Sequence, residues 1–377
     1  PKFAIVLFLA APVFAAEGLP VAANLVVHEW GTFTSVAGED GNPVPWSPLA
    51  GPSDLPCFVV RGAVSKFASG DSLVRMETPV LYFYSPRAMA LSVNVDFPQG
   101  RITEWYPQAS NAGSVSALSS RIEWNQVEVT PGEHPALPAE TAASHYYAAR
   151  NTDAAPIRIG EQQEKMIFYR GVGGFPVPVH PAFASDGSLE IRNTGAEPVP
   201  SVILFENRGG KVGYRTIGWL DDTVRLDAPE LNGDVARLRR ELAATLVEQG
   251  LYSKEADAML ETWRDSWFEE GMRVFYFVPR ATVDSLLPLQ INPAPEGTAR
   301  VFVGRVEVLS PTIGQTIETA LARGDLAALA RYGRFLDPFI AELEKHHPLA
   351  RTGAAQVFLT SRYQAAARES AARSCVR

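Results

Sequence analysis

The feature that most constrains this chain is a series of short apolar segments between residues 24 and 220, separated by clusters of Gly, Pro, Asn, Asp and Ser. The segments are rich in β-branched and aromatic residues, as in CFVVRG, PVLYFYSP, LSVNVDF, SRIEWNQVEV, EKMIFYRG and GSLEIRN. Runs of this length, repeated at a nearly regular spacing, are typical of strands in a sandwich or barrel. The sequence therefore predicts an antiparallel, β-sandwich-like region over residues 17–220.

One strand pairing can be predicted directly. The segments SVILFEN and KVGYRTI are separated by Arg208, Gly209 and Gly210. Glycine adopts the positive φ angles that tight hairpin turns need. We therefore expect these two segments to form a β-hairpin.

The pattern changes after residue 220, where apolar residues begin to recur at helical spacing. A first helix is predicted from the stripe Leu231, Val235, Leu238, Leu242 and Leu246, ending before Gly250. A second helix, SKEADAMLETWRDSWFEEG, is predicted to be capped by Ser253. Its apolar stripe is Ala256, Met259, Leu260, Trp263 and Trp267.

The remainder of the C-terminal region is of mixed type. Two strand-like runs, MRVFYFVP and ARVFVGRVEVL, precede a helical region that begins near residue 310 and has breaks near Gly324 and Pro348. The predicted fold class is therefore α+β. Residues 221–377 form a mixed, helix-rich region that we expect to pack on the first as an extension of the same unit.

Composition limits the class of partner. The chain of 377 residues is 46% hydrophobic and 20% charged, so it can bury a full core. Its formal net charge is −8, and no long basic run interrupts it. Binding of phosphate backbones needs clustered Lys and Arg, so we expect no nucleic-acid partner.

The first sixteen residues, PKFAIVLFLAAPVFAA, have the pattern of a secretory signal peptide. Lys2 precedes an apolar stretch from 3 to 14 that is short for a bilayer span and is followed by small residues. The alternative is a buried or amphipathic N-terminal segment. Taken as a signal, the segment predicts an exported protein, periplasmic or extracellular, without a transmembrane segment after its removal.

The two cysteines are Cys57 and Cys375. In an oxidising compartment they permit one disulfide that would tie the C-terminal tail to the first region. The alternative is two unpaired thiols, and the spacing leaves both readings open.

The run VVHEWGTFTSV places His28 beside Glu29 among large apolar residues. Side chains alternate between the two faces of a strand, so His28, Trp30 and Thr32 share one face while Glu29 lies on the other. In a regular strand the two groups cannot serve one metal ion or act as a local acid–base pair. Only a bulge, for example at Gly31, or a strand end would bring them together. The alternative to a site is two polar groups with separate partners.

No zinc-binding spacing of histidines is present, so neither a metal nor another cofactor is expected. A site assembled from His28, His180 and a distant carboxylate is the one metal arrangement left open.

A carboxylate beside an indole recurs at Glu29-Trp30, Glu104-Trp105 and Glu123-Trp124, and Glu77 lies two residues before a Pro that opens VLYFY. Carbohydrate sites use such groups, because rings stack on sugars while carboxylates act as acid, base or nucleophile. A core-facing Trp with a solvent-facing Glu gives the same pattern without any function.

The segment ETWRDSWFEEG offers a third set of candidates. In a helix, Arg264 would pair with Glu261, while Asp265 and Glu269 would share a face. An exposed charged face is the alternative to a site. The hypothesis to test is that this acidic edge faces a cleft with His28.

Several strings resemble a group of exported bacterial proteins of unassigned function. These are HEWGTFTSVAGEDG, RMETPVLYFYSP, ITEWYP, FYRGVGG, LFENRGGK and TWRDSWFEEG, spread over most of the mature chain. The resemblance implies an exported globular protein and assigns no residue a role. Locally, LEIRNTGAEPVPSVILFEN resembles a pattern of bacterial Ig-like sandwich domains.

Two functions of different class follow. The first is an exported binding or scaffold protein for a small molecule, glycan, peptide or envelope protein, with His28, Trp30, Trp105 and Arg264 as binding candidates. The second is an extracytoplasmic hydrolase, carboxylate- or metal-dependent, acting on glycans. Its candidate catalytic residues are Glu29, Glu77, Glu104, Asp265 and Glu269, of which two must converge in one cleft.

Overall fold

The computed structural model describes residues 21–49, 54–62, 73–112 and 119–372. The fold is α+β, with large sheets built mainly from the N-terminal half and helices mostly in the C-terminal part. The predicted signal peptide, residues 1–16, lies outside the described residues. So does Cys375, and the Cys57–Cys375 disulfide therefore stays a prediction.

A nine-stranded sheet forms the centre of the molecule. In spatial order its strands are β13 (Lys211–Leu220), β12 (Val199–Arg208), β15 (Gly271–Phe277), β17 (Ala294–Val308), β1 (Val21–Ala37), β3 (Val74–Tyr84), β9 (Ile167–Gly173), β5 (Gly100–Tyr106) and β2 (Val60–Arg61). β1 pairs in parallel with β17, and the other neighbours are antiparallel. Because β15 and β17 follow residue 220, the two predicted regions share this one sheet.

Two smaller sheets accompany it. One has the order β16 (Leu289–Asn292), β4 (Met89–Phe97), β6 (Ser120–Val129), β7 (Ile157–Ile159) and β8 (Gln162–Glu164). The other has the order β10 (Val179–Phe183), β11 (Leu189–Asn193) and β14 (Thr223–Leu226). Val93 and Ile122 of the five-stranded sheet share a buried core with Val27, Leu81 and Leu204 of the central sheet. Alternating apolar residues thus join the two sheets in a sandwich.

Helices cover the opposite face of the central sheet. A second buried core joins Trp30 and Phe275 of the sheet to Leu242 and Met259 of α1 (Val235–Glu248) and α2 (Ser253–Thr262), and a 3₁₀ helix, η1 (His145–Arg150), adds Tyr146. The remaining helices are α3 (Arg280–Leu286), α4 (Pro311–Arg323), α5 (Leu326–Ala330), η2 (Gly333–Phe335), α6 (Leu336–Glu344) and α7 (Gly353–Ala372). Their apolar side chains extend the first core rather than the second.

Local sequence explains two features of the sheet. Gly209 and Gly210 have φ angles of 62° and 81° and form a two-residue turn, because Arg208 already pairs with Lys211. The predicted hairpin is confirmed, with a loop one residue shorter than expected. Gly31 lies against the ring of Phe302, where a Cβ atom would come within 2.6 Å of the ring.

The predicted helix over SKEADAMLETWRDSWFEEG is wrong in length. α2 ends at Thr262, and residues 263–269 form turns. The N-cap is Tyr252 rather than Ser253. The stripe itself is buried as predicted, because Trp263 and Trp267 stack on one another at 6.5 Å while packing on the sheet side of the helix layer. Likewise, Leu231 precedes α1 rather than forming its first turn.

Candidate functional site

His28 and Glu29 point to opposite faces of β1, as strand alternation predicts. Glu29 is fully buried and faces the five-stranded sheet side, where it accepts hydrogen bonds from the Tyr169 hydroxyl and from Arg300 Nε at 2.5 Å. Arg300 lies directly opposite Glu29 in the parallel β1–β17 register. The Glu29 carboxylate is therefore half of a buried ion pair.

The bulge that would have brought the two groups together lies on the neighbouring strand. Trp30 pairs with Val80 and Thr32 with Glu77, so the extra residue belongs to β3, opposite Gly31. Thr78 there has a φ of 49°, a conformation that is uncommon for a non-glycine residue. β1 itself stays regular from Val26 to Ala37, and His28 and Glu29 keep separate partners.

His28 belongs to a group that we call the His28 cluster: His28, Tyr84, Tyr252 and Glu255. His28 and Glu255 are buried, Tyr84 is half-buried and Tyr252 is exposed. Glu255 is fully buried and accepts three hydrogen bonds. They come from His28 Nδ1 at 2.8 Å, the Tyr84 hydroxyl at 2.8 Å and the Tyr252 backbone N–H at 2.7 Å. The Tyr252 ring lies 4.4 Å from the imidazole. The cluster fastens the start of α2 to β1 and β3.

These contacts fix the orientation of the imidazole. A carboxylate can only accept, so the Nδ1 atom of His28 carries the proton that it donates to Glu255. When His28 is neutral, its Nε2 atom is then left as an acceptor. Burial, and next the Glu255 carboxylate, raise the pKa of Tyr84, so its hydroxyl stays protonated and remains a donor.

Tyr84 also lies on the wall of an open cleft of about 520 Å³, which we call the Tyr84 cleft. Its polar lining residues include Asn24, His134, Asp153 and Lys165, and residues 131–132 and 154–156 also line it. Burial lowers the pKa of Lys165, whose Nζ donates to the Ala154 carbonyl at 2.5 Å. The cleft thus combines one aromatic ring with amide, carboxylate, imidazole and ammonium groups.

A second buried polar region lies on the same face of the central sheet. We call it the central ion-pair network: Glu77, Arg273, Arg305, Glu307 and Arg334. Arg273 and Arg305 are fully buried and donate to Glu307 at 2.9 Å and 2.8 Å. Glu77 accepts from Arg334 Nη2 at 3.1 Å, and also from the Thr34 hydroxyl at 2.7 Å.

The network also holds the turns after α2. Arg273 donates to the carbonyls of Trp267, Glu269 and Glu270, and Arg305 to that of Ser266. Burial acts to raise the pKa of Glu77, but the charges of Arg334 and Arg75 and the hydrogen bonds from Arg334 and Thr34 together lower it to about 2. The carboxylates of the network therefore stay ionised and paired over a wide pH range.

Three side chains form a link at the edge of this region, the His145 bridge: Asp54, His145 and Asp265. His145 Nδ1 lies 3.3 Å from Asp54 and its Nε2 lies 3.2 Å from Asp265. The hydrogen bond with Asp54 is the main cause of the raised pKa of His145. Burial acts to raise the pKa of Asp54, but Arg170 and His145 hold it well below its usual value. The bridge joins η1, residue 54 and the turns after α2.

The candidate carboxylates each have a separate partner and do not meet in one open cleft. Glu29, Glu77 and Glu269 each pair with an arginine, in the last case Arg305 at 2.9 Å. Glu104 accepts from the Thr103 hydroxyl. Asp265 contacts His145 rather than His28, and the carboxylate that meets His28 is one that the sequence did not single out.

The remaining candidates are dispersed. Trp30 is buried in the helix-side core and Trp105 in the sandwich core. Arg264 is half-exposed and pairs with Glu261 at 2.6 Å. His180 lies on β10 against Gly41, apart from the His28 cluster. Within residues 21–49, 54–62, 73–112 and 119–372, no group of three or more His, Cys, Asp or Glu side chains is placed to hold a metal ion.

Sequence reasoning missed Glu255, Tyr84 and Tyr252. Glu255 occupies the third position of α2, where an acidic residue ordinarily reads as part of a helix cap. It does serve that role toward the Tyr252 N–H, and the same oxygen accepts from His28 across 227 residues of sequence. The signal available was a Glu in the first helical turn with two tyrosines in reach, which is too common to identify a site.

Comparison with known proteins gives little further direction. No family model matches the chain, and no curated protein matches it. Among solved structures, the yeast delta-COP-I mu-homology domain aligns with a TM-score of 0.31 and 9% identity, covering 78% of this chain and 100% of that domain. The same domain complexed with the Dsl1 WxWxV peptide aligns with a TM-score of 0.29 and 8% identity, covering 77% and 100%. Similarity at this level carries no inference about function.

None of the described helices is both long and apolar enough to cross a membrane.

Proposed function

We propose that this protein is an exported binding protein that takes a glycan in the Tyr84 cleft. The observation that carries the proposal is the double role of Tyr84, which lines the cleft while its hydroxyl is anchored to the buried Glu255. Export rests on the pattern of the first sixteen residues. The cleft volume of about 520 Å³ lies within the ordinary range of small-molecule sites.

The anchoring of Tyr84 favours recognition of a rigid, amphipathic ligand. A tyrosine ring held by a hydrogen bond and by T-shaped contact with Tyr252 loses little conformational freedom when a ligand stacks on it. A sugar ring presents an apolar C–H face to stack and hydroxyl groups at its rim. Asn24, Asp153 and Lys165 supply both acceptors and donors for those hydroxyls.

The chemistry of the cleft wall favours a glycan over a peptide. Its apolar wall consists of small residues and prolines, with Val26 as the one large aliphatic residue. Peptide grooves ordinarily offer deeper aliphatic pockets or an open strand edge. A small molecule or an envelope protein, the other partners expected from the sequence, would have to use the same polar rim.

The hydrolase alternative has less support. Glu29, Glu77 and Glu269 are already neutralised by arginines, and a catalytic carboxylate must be free to exchange a proton or attack carbon. His28 and Glu255 have the arrangement of an oriented base, but no Ser, Thr or Cys side chain donates to His28 in the described residues. The metal-dependent version predicts stoichiometric metal in the purified protein by elemental analysis.

The proposal is tested by titrating the purified protein with soluble glucan, xylan, mannan and peptidoglycan-derived oligosaccharides by isothermal calorimetry. For an oligosaccharide that binds, Tyr84→Ala should weaken the affinity about 10- to 30-fold, the loss typical of a central aromatic contact. Tyr84→Phe keeps the ring face and should retain most of the affinity.

A matched control is Tyr214, a half-buried tyrosine outside the cleft whose hydroxyl donates to Glu241 at 3.4 Å. Tyr214→Ala should leave the affinity unchanged. Failure of every oligosaccharide to bind, or equal losses from Tyr84→Ala and Tyr214→Ala, would contradict the glycan proposal.

A further inference from the structure

Lys165 is a cation of the Tyr84 cleft that no carboxylate neutralises. It follows β8 directly and is half-buried, and its Nζ atom donates to the Ala154 carbonyl at 2.5 Å. Among the described residues, that carbonyl is the one hydrogen-bond acceptor of the ammonium, and no carboxylate lies at ion-pair distance. An ammonium group has three N–H donors, so two remain available to a ligand.

The two carboxylates that act on Lys165 from a longer distance are held by other cations. Glu164, the preceding residue, is fully buried and pairs with Arg150 at 2.6 Å. Asp153, which lines the cleft, pairs with Lys254 at 2.5 Å. Burial lowers the pKa of Lys165, and the charges of Asp153 and Glu164 offset this effect only in part. The ammonium therefore lacks a close partner of opposite charge.

The rest of the cleft lining leaves this charge uncancelled. Its other carboxylate, Glu133, pairs at 2.9 Å with Arg158, which lies outside the lining. Because each carboxylate of the lining is matched by its own cation, Lys165 adds one net positive charge to the cleft. His134 is exposed and adds to that charge only in its protonated form. The balance of charge therefore favours an anionic ligand.

One stretch of backbone holds both this cation and the tyrosine of the cleft. The Ala154 carbonyl accepts from Lys165, and the next residue, Ala155, donates its N–H to the Phe83 carbonyl at 2.9 Å. Phe83 directly precedes Tyr84, so residues 154–155 connect the ammonium to the tyrosine. Both side chains line the cleft, so one ligand can contact an aromatic ring and a positive charge together.

We propose that the ligand of the Tyr84 cleft is an acidic glycan, with the carboxylate of a uronic acid unit bound by the Lys165 ammonium. This class of ligand narrows the glycan-binding function proposed above, on which it rests. A sugar hydroxyl can accept a hydrogen bond from the ammonium but brings no opposite charge, whereas a carboxylate supplies both. The carboxylate thus offsets the cost of holding a charged group in a half-buried position.

A carboxylate suits this site better than a phosphate group does. One ammonium supplies a single positive charge at one point. Phosphate is ordinarily bound by arginine forks or by several backbone N–H groups at a helix N-terminus, and the residues that line the described cleft include neither.

The test is isothermal calorimetry with oligomers of galacturonate, mannuronate and glucuronate, each measured beside its methyl ester. The ester keeps the sugar ring and its hydroxyl groups and removes the charge. We expect at least one acid to bind about 10- to 30-fold more tightly than its ester, the difference expected of a hydrogen bond to a charged group. Added salt should weaken the binding of the acid more than that of the ester.

Substitutions of Lys165 separate its charge from the shape of the cleft. Lys165→Met removes the charge and should bind the acid no more tightly than the ester, while its affinity for the ester should match that of the wild type. Lys165→Arg keeps the charge and should retain most of the affinity for the acid. Lys211→Met, at an exposed lysine of β13 outside the cleft, is the control and should change neither affinity.

Three results would overturn the acidic ligand while leaving the glycan proposal in place. They are equal affinities for acid and ester, an acid affinity that Lys165→Met does not change, and a loss of both affinities in that variant, which would make Lys165 a structural residue. Tighter binding of a sulfated galactan oligosaccharide than of any uronate would overturn the assignment of a carboxylate. Failure of every oligosaccharide, acidic or neutral, would contradict the proposed function itself and the acidic ligand with it.

Discussion

The His28 cluster and the central ion-pair network lie on the same face of one sheet, yet their buried carboxylates are stabilised by different kinds of donor. Glu255 is satisfied by an imidazole, a phenol and a backbone N–H. Glu307 is satisfied by two fully buried arginines. The first region borders an open cleft, whereas Arg273 and Arg305 of the second are fully buried and bind the carbonyls of the turns after α2.

The difference teaches which buried polar groups to examine for function. A buried carboxylate between two arginines cannot easily change partners, because removing either the carboxylate or an arginine leaves an unpaired buried charge. A carboxylate held by groups that carry no permanent charge can tolerate exchange of partners at lower cost. The His28 cluster is therefore the region in which a ligand could alter the hydrogen bonding, while the network keeps the scaffold fixed.

The largest effect is expected from Glu307→Gln in the network. Loss of the carboxylate leaves Arg273 and Arg305 buried without their shared counter-charge, a change that costs about 3–5 kcal/mol when a buried pair is broken. Urea unfolding followed by circular dichroism measures the free energy of unfolding. The control is Glu190→Gln, which removes a half-exposed pair with Arg192 and should cost less than about 1 kcal/mol. Equal losses of unfolding free energy from the two substitutions would show that the buried ion pairs contribute no more to stability than the half-exposed one.

A smaller loss is expected from Glu255→Gln in the His28 cluster. The amide keeps one acceptor oxygen but presents N–H groups to donors, so one or two of the three hydrogen bonds fail, at about 1–3 kcal/mol in total. The same unfolding experiment applies. If Glu255→Gln were as damaging as Glu307→Gln, the comparison between the two regions would break.

The smallest effect is expected at the His145 bridge and depends on pH. The raised pKa of His145 means that its stabilisation is complete below its ordinary value near 6.5 and is lost as pH rises through the folded-state value. The pKa values of Asp54 and Asp265 are lowered, so their stabilisation is present above about 3.8 and is lost at lower pH. The bridge is therefore strongest between about pH 4 and pH 6.5.

His145→Gln should shift the urea midpoint more at about pH 5 than at about pH 8, because the stabilisation from His145 falls as pH rises through its raised folded-state pKa. The shift is small because His145 and Asp265 are partly exposed and water screens their interaction. His134→Gln, at an exposed histidine, is the control and should shift the midpoint equally at both values. A pH-independent difference at His145 would show that the bridge acts only through packing.

The sequence predicted the parts of the fold that depend on local pattern. Alternation along β1 separated His28 from Glu29, and Gly210 marked a hairpin turn. The sequence pattern did not predict structure that depends on contacts with residues distant in the chain. Trp263 and Trp267 have helical spacing, but α2 ends at Thr262. The carbonyls of Ser266 and Trp267 instead accept hydrogen bonds from Arg305 and Arg273 of the network.

The site was less predictable for the same reason. Neither Glu255 nor Arg300 has a local signature that distinguishes it from a surface charge. Glu255 meets His28 across 227 residues and Arg300 meets Glu29 across 271. Such pairs follow from the sheet order, in particular the parallel neighbours β1 and β17, and sheet order is not encoded in periodicity.

The parallel pairing of β1 with β17 also sets the order of assembly. β1 and β17 are separated by more than 250 residues, so pairing them at the centre of the sheet closes a very large loop of chain. Contacts of this separation slow the search for the native state. A chain still emerging from a ribosome lacks β17 until residues 294–308 have been made, so β1 must wait for one of its two neighbouring strands until that segment arrives.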